Sequence, residues 1–146
     1  MKSDSLLRIA EAYYRTSSDS LHKAWTLFYL AQYYRDSNEK EKALSYFQQA
    51  NIASRNIENN QFKFLLNLHW AGLLTNEDAY EKGIEKYQTA NRYAILLKDT
   101  LKQINLYGKW GWCCLLKEED ERADSLFNVG LTLSATTKDR FTTNIY

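Results

Sequence analysis

The sequence repeats at a fixed interval of 40 residues, without a gap, and this periodicity limits the folds that the chain can adopt. Large residues return as large residues and small ones as small ones at five positions of the repeat. These positions hold Leu30, Trp70 and Trp110; Ala31, Ala71 and Gly111; Ala43, Gly83 and Ala123; Phe47, Tyr87 and Phe127; and Ala50, Ala90 and Gly130. A period between about 20 and 50 residues is typical of architectures that stack one structural unit on the next.

The composition favours α-helix throughout the repeat. None of the 146 residues is proline, so no residue lacks the amide donor that an α-helical ladder requires. Lys and Arg number 19 and Asp and Glu 18, and this balance gives no electrostatic argument for nucleic acid or an anionic membrane as a partner. No apolar run approaches the length of a membrane span. We therefore expect one all-α domain over residues 1–146 that neither binds nucleic acid directly nor inserts into a membrane.

Helix starts are marked by a residue that also recurs at the 40-residue interval. The position is held by Asp19, Asn59, Asp99 and Asp139, and Asp and Asn are preferred N-caps because they accept hydrogen bonds from first-turn amides. These caps predict that a first helix opens each of three repeats. The predicted first helices cover residues 22–35, 60–74 and 100–116.

A second helix is predicted in each repeat, after a short polar turn. Asn38 with Glu41, and Asp78 with Glu81, resemble a capping box, in which an acid reaches back to the cap amide. The second helices are expected over residues 39–57, 79–97 and 119–135. The repeats then occupy residues 19–58, 59–98 and 99–138, flanked by the second helix of a truncated repeat (1–18) and the start of another (139–146). This arrangement predicts a fragment of a longer array.

These residues resemble the tetratricopeptide repeat (TPR) family. The Leu-Gly pair of the TPR pattern corresponds to Leu30-Ala31, Trp70-Ala71 and Trp110-Gly111. Its Tyr position is held by Tyr34, Leu74 and Cys114. Its first position, often Trp, is held by Leu27, Asn67 and Tyr107. The usual final Pro is absent. The 40-residue period exceeds the usual TPR length of about 34 residues. In this longer period the sequence is similar to the TPR regions of bacterial regulators, peptide-sensing receptors and kinesin light chains. The resemblance implies a right-handed α-solenoid of antiparallel helix pairs, with about seven helices.

By that resemblance, a concave face lined by the first helices binds extended peptides or partner helices. The candidate residues lie between the core positions of the first helices: Trp25, Phe28, Gln32, Arg35, Leu65, Leu68, Gly72, Thr75, Asn105, Gly108, Trp112 and Leu115. The alternative for Trp25, Phe28 and Trp112 is that they pack against neighbouring helices. The Lys and Asn clamp with which some TPR domains hold a peptide carboxylate is replaced by Phe28 and Gln32, so chaperone tails are not expected ligands.

The sequence gives little support to catalysis, and we expect no cofactor and no metal. It has no Gly-rich phosphate loop, no HExxH and no nucleophile elbow. His22 and His69 are expected to be structural. Cys113 and Cys114 are adjacent, which disfavours a disulfide, and they are expected to be a buried thiol beside a less buried one. The acidic residues 118–121 are expected to favour a helix start.

Three functions stay open at this point. The first is a protein- or peptide-binding module of a larger bacterial regulatory protein. The second is a structural module that forms homo-oligomers through its open ends, where Leu7 and Tyr14 lie at one end and Phe141 and Ile145 at the other. The third, an enzyme, has the least support. The compartment is open as well, with the cytoplasm favoured.

Overall fold

Six α-helices make up the described part of the chain. The computed structural model describes residues 5, 8, 9, 12 and 19–145, and side chains as far as residue 137. The helices are α1 (Ser20–Asp36), α2 (Lys40–Ala53), α3 (Asn60–Asn76), α4 (Tyr80–Leu97), α5 (Thr100–Leu116) and α6 (Asp120–Ile145). Their starts recur at 40-residue intervals, and no strand occurs within these described ranges, so the predicted all-α repeat fold is confirmed.

The three first helices, α1, α3 and α5, begin at the predicted caps. The side chains of Asp19, Asn59 and Asp99 accept hydrogen bonds from the amides of His22, Phe62 and Lys102, at 3.2, 2.9 and 3.1 Å. Each bond satisfies a first-turn amide that has no acceptor within the helix. The sequence therefore placed these three helix starts correctly.

The turn inside each repeat has a different chemistry from the one predicted. Asn38, Asp78 and Glu118 adopt left-handed backbone conformations, with φ of 61°, 61° and 67°. In the first turn the Asn38 amide donates to Arg35 O and the Glu39 amide to Tyr34 O, which is the Schellman pattern of a helix C-terminus. A left-handed residue that ends one helix cannot also be the extended N-cap of the next. The predicted capping boxes are therefore wrong, and the caps of α2 and α4, Glu39 and Ala79, make no side-chain cap bond.

Packing joins the helices first into pairs and then into a stack. Within a pair, small residues such as Ala31 and Ala43 are fully buried, so the two helices approach closely. Between pairs, the Trp70 ring of α3 stacks on the Phe47 ring of α2, with centroids 6.2 Å apart. Consecutive first helices also touch, α1 with α3 and α3 with α5. The right-handed superhelix stays a prediction.

The C-terminal helix is longer than expected. We expected a second helix ending near Ala135 and a new one after Asp139, but α6 continues without a break to Ile145. Asp139 therefore does not act as the predicted N-cap, and the described residues after it continue the hydrogen-bonded ladder of α6. The expected helix over residues 1–18, with Leu7 and Tyr14, lies outside the described residues, as do the side chains of Phe141 and Ile145.

None of the helices described here combines the length and the apolar character needed to cross a membrane.

Candidate functional site

An open groove runs across the three first helices. It has a volume of about 380 Å³. Its lining comes from α1, α3 and α5, with one residue from α4: Arg35, Gly72, Thr75, Asn76, Tyr87, Gly108, Lys109 and Trp112. We call this surface the first-helix groove. Because its residues come from three consecutive repeats, the groove exists only when the helix pairs are stacked.

Five of the candidate residues named from the sequence meet in the first-helix groove. They are Arg35, Gly72, Thr75, Gly108 and Trp112. Trp112 is 54% exposed, so its ring presents a large apolar surface to the groove. Thr75 is buried at the base, where its Oγ1 lies 2.8 Å from Ala71 O and 3.3 Å from Cys113 Sγ.

Two candidates belong to the core instead. Phe28 is 2% exposed and Leu68 is 6% exposed, so neither offers a ligand any appreciable surface, and their placement on the concave face is corrected. The cause is the next first helix, which covers them. The Phe28 ring lies 5.9 Å from that of Phe62 and 5.5 Å from that of His69, both on α3.

The other candidates lie away from the groove lining as far as the structure describes it. Trp25 is half-buried with its ring edge-on to Phe62 at 4.9 Å, so it packs against a neighbouring helix, as the alternative interpretation proposed. Gln32 and Leu65 are half-buried, and Leu65 packs against the apolar clusters of two successive repeats. Asn105 and Leu115 are exposed.

The neutral side chain of His69 orients Arg35, one of the two cations in the groove. Arg35 Nη1 lies 3.1 Å from His69 Nδ1. Burial, assisted by the positive charges of Arg35 and Lys109, lowers the pKa of His69 to about 4. The imidazole is therefore neutral at pH 7, and its Nδ1 accepts a hydrogen bond from the Arg35 guanidinium.

The charge of the groove is positive. Arg35 and Lys109 are the charged members of its described lining, and no carboxylate stands among those residues. Asp36 Oδ1 is 3.4 Å from Arg35 Nε, but the Asp36 side chain is 73% exposed, and an exposed pair of this kind neutralises little of the field. An anionic ligand would therefore find two cations here.

The base of the groove is uncharged at neutral pH. Burial raises the pKa of Tyr87 to about 12 and also raises the pKa of the Cys113 thiol. Cys113 and Cys114 are both free and fully buried, which corrects the expectation that one would be less buried. A protonated, buried thiol is a poor nucleophile. In the part of the chain that the structure describes, no group of three or more His, Cys, Asp or Glu could hold a metal.

Two glycines leave the groove open. A Cβ added to Gly72 or Gly108 would meet nothing within 4 Å, whereas one added to Gly83 would come within 3.0 Å of Thr75 Oγ1 and one on Gly111 within 2.6 Å of the Phe127 ring. None of these glycines has a positive φ. Close packing therefore explains why Gly83 and Gly111 have no side chain, but it does not explain the lack of a side chain at Gly72 and Gly108.

The sequence missed Lys109 and His69 as members of this site. They hold the same position of the repeat, 40 residues apart, and Tyr29 holds it in the first repeat. Because Tyr, His and Lys differ in size and chemistry, the match of large and small residues did not mark this position. The available signal was helical spacing, because Lys109 precedes Trp112 by three residues and shares its helix face.

No protein-family model matches the sequence, and no curated protein is detectably similar to it.

Proposed function

We propose that this chain is a non-catalytic, TPR-like binding module whose first-helix groove holds an extended segment of a protein or peptide. The observation that carries the proposal is the pair of unpacked glycines, Gly72 and Gly108. A glycine in a helix interior costs about 1 kcal/mol relative to alanine. Neither glycine relieves a close contact or a strained backbone, so keeping the groove open to a ligand is the role that accounts for both.

The lining indicates the chemistry of the segment. Arg35 and Lys109 suit a carboxylate, and Arg35 is oriented by its hydrogen bond to His69. The exposed Trp112 ring suits a neighbouring apolar side chain, since aromatic residues dominate the affinity of many interfaces. We therefore propose a ligand that combines an acidic residue with a large apolar one.

The titratable groups near the groove suit binding better than catalysis. His69, with a pKa of about 4, is too weak a base to act at neutral pH, and burial keeps the Cys113 thiol protonated. The setting we propose, the interaction or sensor region of a bacterial regulatory protein, rests on the repeat length alone.

The experiment is a selection of random peptides displayed on phage against the whole chain, followed by calorimetry on the enriched peptides. We expect acidic peptides with an aromatic or large aliphatic residue. Gly72→Leu, which fills the groove without meeting a neighbour at its Cβ, should weaken binding at least about tenfold while the melting temperature is kept or raised.

The matched charge variants are Arg35→Ala and Arg92→Ala, since Arg92 is exposed on α4 outside the groove. Arg35→Ala should weaken an acidic peptide about tenfold or more, as loss of a charge-assisted hydrogen bond does, and Arg92→Ala should leave it unchanged. The proposal fails if no peptide is enriched, or if the enriched peptides bind Gly72→Leu as tightly as the parent.

A further inference from the structure

The first-helix groove keeps two positive charges that no acidic side chain of its described lining neutralises. Arg35 comes from α1 and Lys109 from α5, and the other described lining residues are uncharged at neutral pH. Lys109 is exposed, and no ion pair among the described residues includes it. The groove therefore offers a net charge of two to whatever binds there.

The partner that orients Arg35 preserves this charge. A carboxylate is the common partner of a guanidinium, and it would fix the side chain but also cancel its charge. Here the guanidinium donates instead to Nδ1 of His69 at 3.1 Å, and burial lowers the pKa of that imidazole to about 4. The Arg35 side chain is only 25% exposed, so water screens its charge incompletely, while Asp36 is 73% exposed and offsets little of it.

The two cations converge on one part of the groove. Helix α3 packs against both α1 and α5, and it carries His69 between them. The charges of Arg35 and Lys109 both contribute to the lowered pKa of His69, so both lie near this one side chain. A single anionic group can therefore meet both cations. A carboxylate carries one charge and two oxygens, whereas a phosphomonoester carries a charge of about −1.5 to −2 at pH 7 and three acceptor oxygens.

We propose that the acidic residue of the ligand is a phosphorylated Ser or Thr whose phosphate lies between Arg35 and Lys109. This inference rests on the proposed function and names its ligand more closely. Arg35 has further N–H donors besides the one given to His69, and Lys109 supplies three more. Together they match the oxygens and the charge of a phosphate better than those of a carboxylate.

The position of Trp112 sets the spacing within the ligand. Lys109 and Trp112 are three residues apart on one helix face, so their Cβ atoms are about 5–6 Å apart. In an extended segment, residues two apart lie on the same side at about 6–7 Å. The large apolar residue therefore lies two positions from the phosphorylated one, and the short side chain of Ser or Thr suits this spacing.

The probes are three synthetic peptide libraries, added to the whole chain and followed by fluorescence anisotropy. Each has Leu two positions before and two positions after a central residue and mixed uncharged residues elsewhere. The central residue is phosphoserine, Glu or Ser. Free phosphoserine is the fourth probe, and it separates a peptide ligand from a small phosphate compound. The matched variants are Lys109→Ala and Lys82→Ala, since Lys82 is equally exposed but lies on α4 outside the groove lining.

We expect the phosphoserine library to bind at least about tenfold more tightly than the Glu library, and the Ser library to bind more weakly than both. Lys109→Ala should bring the phosphoserine and Glu affinities within about threefold of each other, because one cation remains, while Lys82→Ala should keep the parent's preference. Both lysines are exposed, so neither variant should impair folding.

The inference is overturned if Glu binds as tightly as phosphoserine, if Lys109→Ala keeps the preference, or if free phosphoserine binds as tightly as the library. It is also overturned if none of the libraries binds. Binding of the Glu library without a preference for phosphoserine would leave the proposed function standing. The phage selection decides that function separately.

Discussion

At the residue scale, Glu118 is the turn residue least suited to its backbone conformation. Its φ of 67° matches those of Asn38 and Asp78, but Asn and Asp tolerate left-handed conformations better than Glu does. Glu118→Gly should therefore raise the free energy of unfolding by about 0.5–1 kcal/mol, the left-handed strain outweighing glycine's extra freedom in the unfolded chain. Urea denaturation measures this, with Glu121→Gly in the first turn of α6 as the control that should lose stability. A lower stability for Glu118→Gly would contradict the turn geometry.

His69 makes stability depend on pH. Its pKa falls from 6.5 in the unfolded chain to about 4 in the folded one, so the unfolded chain binds the proton first as the pH drops. The contribution of neutral His69 to the free energy of unfolding is complete above pH 6.5, and it is lost progressively as the pH falls towards 4. Because the ring is partly exposed, we expect the free energy of unfolding to fall by about 2 kcal/mol, which is less than the whole pKa shift would give.

The measurement is urea unfolding at pH 7 and pH 5 for the parent and for His69→Gln. The variant should lose less stability over this interval than the parent. An identical pH dependence in both proteins would show that His69 is not held in its neutral form.

At the element scale, two adjacent residues of helix α3 lie on different faces of the helix. Ala71 is fully buried opposite Gly83, whose Cβ position lies 3.4 Å from Ala71 O, while Gly72 faces the open groove. Ala71→Leu should overpack the helix pair and cost about 1–3 kcal/mol. Gly72→Ala should raise stability by about 0.5–1 kcal/mol. Thermal melts of both variants check this, and equal melting temperatures would mean that the register of α3 is wrong.

The sequence predicted both helices of each repeat and missed features that packing determines. Asp19, Asn59 and Asp99 act through local hydrogen bonds, so the three first helices were placed within a few residues. The continuation of α6 past Asp139 was missed because Asp is also tolerated inside an α-helix at a modest cost, so its recurrence does not by itself end the preceding helix.

The candidate site was predicted only in part, for a related reason. The repeat identifies equivalent positions but not which of them the next helix covers. Phe28 and Leu68 are covered and belong to the core, while their equivalent, Gly108, lines the first-helix groove. Arg35 and Trp112 meet in one groove because successive first helices lie side by side, which the sequence predicted only through the resemblance to TPR proteins.

At the scale of the whole molecule, the three pairs share one design and differ in how completely they are covered. Phe47 and Tyr87 are buried beneath following helices, whereas Phe127 is half-buried. In such a stack each pair is stabilised mainly by its neighbours. The first-helix groove results from this arrangement, since it crosses the stacked first helices.

Amide hydrogen exchange, resolved by residue, tests the 40-residue register on which the whole account depends. The first amides of a helix have no acceptor within it, so residues 40–42, 80–82 and 120–122 should exchange quickly between protected helices. Residues 43, 83 and 123 should be protected, because their amides donate to Glu39, Ala79 and Glu119. Three fast stretches at equal spacing would support the account. Protection running through residues 80–82, or second-helix starts that are not 40 residues apart, would contradict it.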